Sequence, residues 1–390
     1  MFLYVSAEYF LVAGVNRDQK YYAKMAEAIL SRFPEEDRRL VESFLDSLDG
    51  VSVATVKNIV DALSSFRRMV GKPLEKVEER DARAWIRELR KTRKLGTVNV
   101  YGGIVKRFYN WLGLPVLHFF KRRPVRGDHR EKLIDKETLE KIFSSIDNLK
   151  IKALIGVMWE GALRSAEVRF LRIRDVMFER ELALLRVNGK TGQRTVPIYK
   201  TAPWLHMWLT QHPLRDDPDA YVFIVAPWKP YPYAAVSLEQ MVRRLGKKVG
   251  APDLHPHMFR HTRLTELAKH LTEQELKLFA GWIPDSRMAG VYVHLSGRDA
   301  RDAIMRIYGL REEERKEEVE NMKPVVCPRC GTPNPHEAKA CFKCALILDD
   351  KLAWGVLRKK QQAEDILLRV LKHPKVRETI IEALRELEGE

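Results

Sequence analysis

The sequence predicts a mainly α-helical protein with one small antiparallel β-sheet, divided into two principal domains and a short appended module. Three observations carry this. Apolar residues recur at helical spacing through most of the 390-residue chain. One central stretch is strand-like and is expected to turn through Asn188-Gly-Lys-Thr-Gly192. All four cysteines fall in two Cys-x-x-Cys pairs near the C-terminus. The formal net charge of +16 favours a polyanionic partner, nucleic acid before membrane. No apolar run reaches the roughly 18 residues of a membrane span. The N-terminal stretch is apolar in patches but has Glu8 and no basic leader, so a buried element is expected there, not a signal peptide.

Residues 1–35 read as an N-terminal extension with a helix over 17–33, carrying Tyr21, Tyr22, Met25, Ile29 and Leu30 and stopped by Pro34. Residues 36–116 read as a helical bundle. Its first stripe is Leu40, Val41, Phe44, Leu45 and Leu48. Ser52 or Thr55 caps the next helix, whose stripe runs from Val56 through Ile59, Leu63 and Phe66 to Val70. Asp81 is expected to start a helix burying Ala84, Trp85, Ile86 and Leu89. Thr97 is expected to start another, burying Val98, Val105, Phe108 and Trp111. Lys57, Arg67, Arg68, Lys91, Arg93, Lys94, Lys106 and Arg107 lie on the polar faces, either as a solvated surface or as phosphate contacts.

Residues 117–132 read as a basic linker, broken by Pro124 and Gly127. Residues 133–310 form the second domain. Asp135 caps a helix burying Leu139, Ile142 and Phe143, and an apolar helix follows over 151–159. Strands are expected at 176–178, 182–187 and 195–198, the last two joined by the turn that carries Lys190. A helix over 201–210, a buried strand over 221–225 and a loop over 228–233 come next. Ser237 and Gln240 suggest a capping box for a further helix.

His257 and Arg260, three apart at a helix start, share one face. An imidazole beside a guanidinium suits an anionic oxygen, because arginine offers a planar fork of donors. Arg164 follows an apolar segment and needs a partner, either Glu167 or an anion. Gly281-Trp282 opens a loop, and Tyr292 follows in a short helical segment. Near a phosphate-binding pair, a tyrosine is a candidate nucleophile.

Taken together, A-L-R-x-x-E at Arg164, G-K-T-G-Q-R-T-V-P at Lys190, H-M-F-R at His257 and Arg260, Gly281-Trp282 and Tyr292 resemble the tyrosine recombinase (phage-integrase) family. The resemblance implies a helical core-binding domain followed by an α+β catalytic domain of that type. It implies that Arg164, Lys190, His257, Arg260, Trp282 and Tyr292 are catalytic, with Glu167 in support. Tyr292 would attack a DNA phosphodiester and form a 3′-phosphotyrosyl link, Lys190 would protonate the leaving oxygen, and His257 would help the tyrosine. Neither nucleotide nor catalytic metal is then needed. The Met288-Ala-Gly-Val291 run departs from the family's usual threonine-rich approach to the tyrosine, which leaves attack in cis or in trans open. Integration or excision of a mobile element is the expected role. Resolution of chromosome dimers, a non-catalytic DNA-binding regulator and a type IB topoisomerase are the other readings. Expected partners are double-stranded DNA and further copies of the chain, as a homo-tetramer or dimer of dimers. The expected location is the cytoplasm, at the nucleoid.

Residues 311–323 read as a charged linker. Cys327, Cys330, Cys341 and Cys344, within 324–348, have the spacing of a zinc ribbon, a closed structural site of four thiolates. Residues 349–390 read as one or two amphipathic helices.

Overall fold

Helix-forming periodicity produces the first five elements: α1 (Arg17–Leu30), α2 (Glu35–Asp46), α3 (Val53–Val70), α4 (Glu79–Thr92) and α5 (Leu95–Trp111). They belong to a computed structural model that describes residues 17–124, 133–189, 192–295 and 322–388. The chain divides into two compact units, Met1–Asp128 and His129–Glu390.

In the first unit Ser52 caps α3 by accepting from the Thr55 amide. The core is built on Phe44, Phe66, Trp85, Phe108 and Tyr109, all at most 1 % exposed. Phe66 meets Trp85 edge-on at 4.8 Å, a favourable quadrupole arrangement. Buried Asp37 accepts from the Leu74 amide at 2.7 Å and from Arg67 Nε at 2.5 Å. The Tyr109 hydroxyl donates to the Leu74 carbonyl. These bonds fasten the turn after α3 to α2 and α5.

Several expectations need correction here. α1 supplies Ala26 and Leu30 to the bundle core, so it is part of the bundle and not a separate extension. α4 starts at Glu79, with Asp81 closing a capping box two residues in. α5 starts at Leu95, before Thr97. Leu117 and Phe120 are buried in the bundle, Lys106 donates to the carbonyls of His118 and Phe120, and Asn99 brackets the Arg123 backbone. The early part of the expected linker is therefore packed; residues 125–132 lie outside the described residues. Of the basic residues named above, Arg67 and Lys106 are tied into the fold, while Arg68, Arg93, Lys94 and Arg107 are exposed.

The second unit packs α6 (Lys136–Ser144), α7 (Leu149–Glu160) and α8 (Ser165–Arg169) with the antiparallel sheet β1 (Val176–Glu179), β2 (Leu182–Gly189) and β3 (Gly192–Ile198). Period-2 alternation buries Ala183, Leu185 and Val187 from β2 against Val196 and Ile198 from β3. α9 (Ala202–Thr210), the hairpin β4 (Ile224–Ala226) and β5 (Lys229–Pro232), and α10 (Ala235–Lys248) follow. The expected loop at 228–233 thus pairs as a strand, and the strand expected at 221–225 begins only at Ile224. α10 is capped by Ala234, so Ser237 lies inside the helix and forms no capping box. α11 (Pro256–Leu267), α12 (Glu273–Ala280) and α13 (Met288–Leu295) complete the packed part.

One buried carboxylate organises the end of α7. Glu160 accepts from the amides of Tyr199, Lys200 and Thr201 and from the Thr201 hydroxyl, at 2.8–2.9 Å. It thereby joins the end of α7 to the turn leaving β3. Beyond residue 322, β6 (Val325–Val326) pairs with β7 (Pro333–Asn334) in a small module, followed by α14 (Asp350–Lys372) and α15 (Pro374–Glu388), which break at Pro374. The module docks on the second unit: Glu337 pairs with Lys152 of α7 at 2.7 Å and accepts from Trp204 Nε1 of α9 at 3.0 Å. Among the described residues, no helix is long and apolar enough to cross a membrane.

Candidate active site

The end of α7 shapes the site. After Glu160 the chain turns through Ala162, a non-glycine residue at φ +47°, in the sparsely populated left-handed region. The next turn places Arg164 as the N-cap of α8, where its amide donates to Glu167 Oε2 at 2.8 Å. The Arg164 guanidinium donates to Glu167 Oε1 at 2.7 Å and to the Gly281 carbonyl at 3.2 Å. Glu167 is shared. Arg194 of β3 binds both its oxygens at 2.9 Å and donates through Nε to the Phe279 carbonyl. The side chains of Arg194 and Glu167 are 10 % and 2 % exposed, so this fork is a buried ion pair.

Two glycines let backbone approach this hub. Gly281 sits at φ +62° as the C-terminal cap of α12, and a Cβ there would come 2.7 Å from Arg194 Nη1. Gly189, the last residue of β2, has open space for no side chain, since a Cβ would meet Glu167 Oε1 at 2.8 Å. The hairpin is thus anchored at the hub up to the residue before Lys190. Lys190 itself lies outside the described residues.

α11 brings the second arginine. Arg260 is 2 % exposed, and its two terminal nitrogens donate to the carbonyls of Ala162 at 2.5 Å and Ala280 at 2.7 Å. Arg164 and Arg260 therefore converge on the consecutive carbonyls of Ala280 and Gly281. The Arg260 guanidinium also lies 5.7 Å from the Trp282 ring centre, within cation–π range. Trp282 in turn stacks on Tyr292 at 5.4 Å and 23°. The Tyr292 hydroxyl lies 2.6 Å from His261 Nδ1, and the His257 ring meets His261 edge-on at 4.4 Å.

Burial would raise the Glu167 carboxyl, but the hydrogen bonds of Arg194 and Arg164 outweigh it and hold the group at about 2. Burial and then the Arg164 charge bring Arg260 down to about 10, so it stays cationic at neutral pH. Burial pushes the Tyr292 phenol up to about 12, against the downward pull of Arg260 and Arg164. Desolvation, then Arg260, His255 and Arg164, hold the His257 imidazole below its ordinary value. Three guanidiniums against one carboxylate leave a surplus of positive charge, and the carbonyls holding Arg260 orient its charge without cancelling it. Such a site suits an anionic oxygen.

The second cluster is the cysteine set. Sγ of Cys327 lies 3.5 Å from that of Cys344, and Sγ of Cys330 lies 3.6 Å from that of Cys341. All four sulfurs lie within 4.8 Å of one another. Tetrahedral thiolates at a Zn–S distance of about 2.3 Å would stand roughly 3.8 Å apart, so the donors fit such an ion. The two turns match: Gly331 donates to the Cys327 carbonyl, and Ala345 to that of Cys341. Asn334 clasps them by accepting from the Phe342 amide and donating to the Thr332 carbonyl.

Of the residues singled out from sequence, Arg164, Arg260, Trp282 and Tyr292 form one connected set. His257 contacts it through His261. The sequence motifs single out His257 and not His261, yet His261 is the partner of the tyrosine. Its i,i+4 spacing from His257 was the available signal. Arg194 was missed altogether, because its partner is 27 positions away.

Residues 132–298 match the phage integrase family. The chain is 25 % identical over 293 residues to the tyrosine recombinase XerA of Saccharolobus solfataricus, covering 70 % of this chain and 94 % of that protein. It is 25 % identical over 265 residues to the tyrosine recombinase XerA of Pyrococcus horikoshii, covering 66 % and 88 %. Its fold is similar to that of the XerH site-specific recombinase crystallised on a palindromic difH substrate, with TM-score 0.57 at 17 % identity, covering 78 % of this chain and 95 % of that one.

Proposed function

The chain belongs to the phage integrase (tyrosine recombinase) family, and from that premise we propose that it cuts and rejoins duplex DNA through Tyr292. The observation that carries this reading is the convergence of Arg164 and Arg260 on the turn that also bears Trp282, with Tyr292 stacked against it. Both arginines have the charge and the planar donors to take the non-bridging oxygens of a phosphodiester, and both are held in place before substrate arrives. Tyr292 attacks phosphorus, leaving a 3′-phosphotyrosyl ester and a free 5′-hydroxyl. Lys190, beyond the anchored Gly189, is the proton donor to that leaving oxygen. Trp282 packs the tyrosine and offers its indole N–H to the phosphate. A 5′-hydroxyl from another strand reverses the step. The same exchange serves integration or excision of a mobile element, acting as a dimer of dimers on DNA, with the exposed Arg68, Arg93, Lys94 and Arg107 on phosphates.

The four cysteines would hold Zn²⁺ in a closed site, where the ion's contribution is to fold the module. The test of the main reading is a nicked duplex selected from a random pool for retention on the full chain. Wild type should form a covalent protein–DNA band, and Tyr292→Phe should form none. A band that persists in the variant would place the nucleophile elsewhere.

A further inference from the structure

The nucleophile's hydroxyl stands against a histidine other than the one the resemblance singles out. Tyr292 Oη lies 2.6 Å from His261 Nδ1, and the two rings are stacked with centres 5.5 Å apart at 29°. A phenol is a competent nucleophile when its proton leaves as the new bond forms. Arg164 and Arg260 have no acceptor atom to take that proton. A neutral imidazole with Nδ1 unprotonated does, at hydrogen-bond distance from the reacting oxygen.

We propose that His261 is a catalytic residue that accepts the Tyr292 proton at Nδ1 as the tyrosine oxygen attacks phosphorus. This rests on the strand-transfer reading above. The step balances as follows. The Oη–H bond breaks and its proton moves to Nδ1; the Oη–phosphorus bond forms; the phosphorus–O5′ bond breaks, and that oxygen takes a proton from the general acid. On rejoining, the attacking 5′-hydroxyl gives its proton to the deprotonated general acid as the O5′–phosphorus bond forms; the Oη–phosphorus bond breaks, and the imidazolium returns its proton to the tyrosine oxygen. Among the described residues, the charged and titratable groups facing the pair include His257, edge-on to His261, and Arg260 and Arg164, which act on the Tyr292 phenol; Glu167 and Arg194 act on Arg260 behind them.

The experiment measures covalent-adduct formation against pH on the selected, nicked duplex. The proteins are full-length wild type, His261→Phe, His261→Asn and His257→Asn. Wild type should gain rate with pH through the imidazole range and then level off. His261→Phe keeps a ring against Tyr292 but has no acceptor, and His261→Asn cannot titrate. Both should fall by about 100-fold or more, with a rate that keeps climbing as the phenol ionises. His257→Asn should keep the levelling. Thermal melts of both His261 variants establish which of them reports. The proposal is overturned if a folded His261 variant stays within about threefold of wild type. It is also overturned if the inflection vanishes in His257→Asn and survives in His261→Asn. No adduct from wild type would instead sink the strand-transfer reading itself.

Discussion

Arg194 shows how one side chain sets the charge of another. Its guanidinium occupies both oxygens of Glu167, which leaves Arg164 sharing a carboxylate that is already matched. Without Arg194, Glu167 would pair with Arg164 alone, and the field at the phosphate would lose a positive charge. Arg194→Met should therefore slow adduct formation and destabilise the fold by roughly 3 kcal/mol, the scale for breaking a buried pair. Arg194→Lys restores the charge but not the fork, so it should recover stability only in part. Urea unfolding and single-turnover cleavage of both variants measure this. Wild-type rate and stability in Arg194→Met would remove the residue from the account. This residue was not legible in the sequence, because a buried carboxylate chooses its partners across the fold. Glu160, which gathers three amides about 40 positions away, was hidden for the same reason. Ser52 and Asp135 were legible as caps, since each bonds an amide three residues on.

Among the elements, the hairpin and the cysteine module behave differently under perturbation. The β2–β3 hairpin is bound to the hub through Arg194 and the close approach of Gly189, so its position is set by the same ion pair that holds Arg164. The module docks through ring contacts of Phe342 with His206 and of His336 with Trp204, and through Glu337, whose contact with Lys152 is partly solvated at 41 % and 18 % exposure. Such a pair contributes about 1 kcal/mol at most. Chelation of the metal, or Cys327→Ser with Cys330→Ser, should unfold the module. It should lower the melting temperature of the rest of the second unit by only about 2–4 °C. Differential scanning calorimetry with and without chelator measures both effects. A module that stays folded without metal would refute the zinc site. Elements defined by turn chemistry and period were readable from the chain: α7, the paired cysteines and the β2–β3 hairpin, whose strands run on through Asn188 and Gly189, two residues expected in the turn. The β4–β5 hairpin was not, since Pro230 and Pro232 read as loop and the pairing is short and irregular.

For the molecule as a whole, the fold class was legible because helical stripes dominate and the Asn188–Gly192 stretch marks the hairpin, although Asn188 and Gly189 themselves pair within β2. The arrangement of the site was legible only through the order of its motifs, because contacts such as His261–Tyr292 join residues 31 positions apart. Burial holds the imidazoles of His206, His212 and His257 below their ordinary value. The unfolded chain thus takes up protons that the folded chain refuses. Stability should fall as pH drops from about 6.5 through the depressed folded values of the imidazoles. Glu167 and Glu337, held at about 2 in the folded chain, add to the loss below about pH 5, where the unfolded chain protonates these carboxylates and the folded chain does not. Thermal melts at stepwise pH between 8 and 4 test this, and a flat profile over that range would contradict it.

The most direct measurement is the chemical identity of the protein–DNA link. The adduct formed by the full-length wild-type chain would be digested with nuclease and protease and sequenced by mass spectrometry. The account predicts a nucleotide 3′-phosphate esterified to the phenol oxygen of Tyr292. A nucleotide found on any other side chain, or joined through a 5′-phosphate, would contradict it.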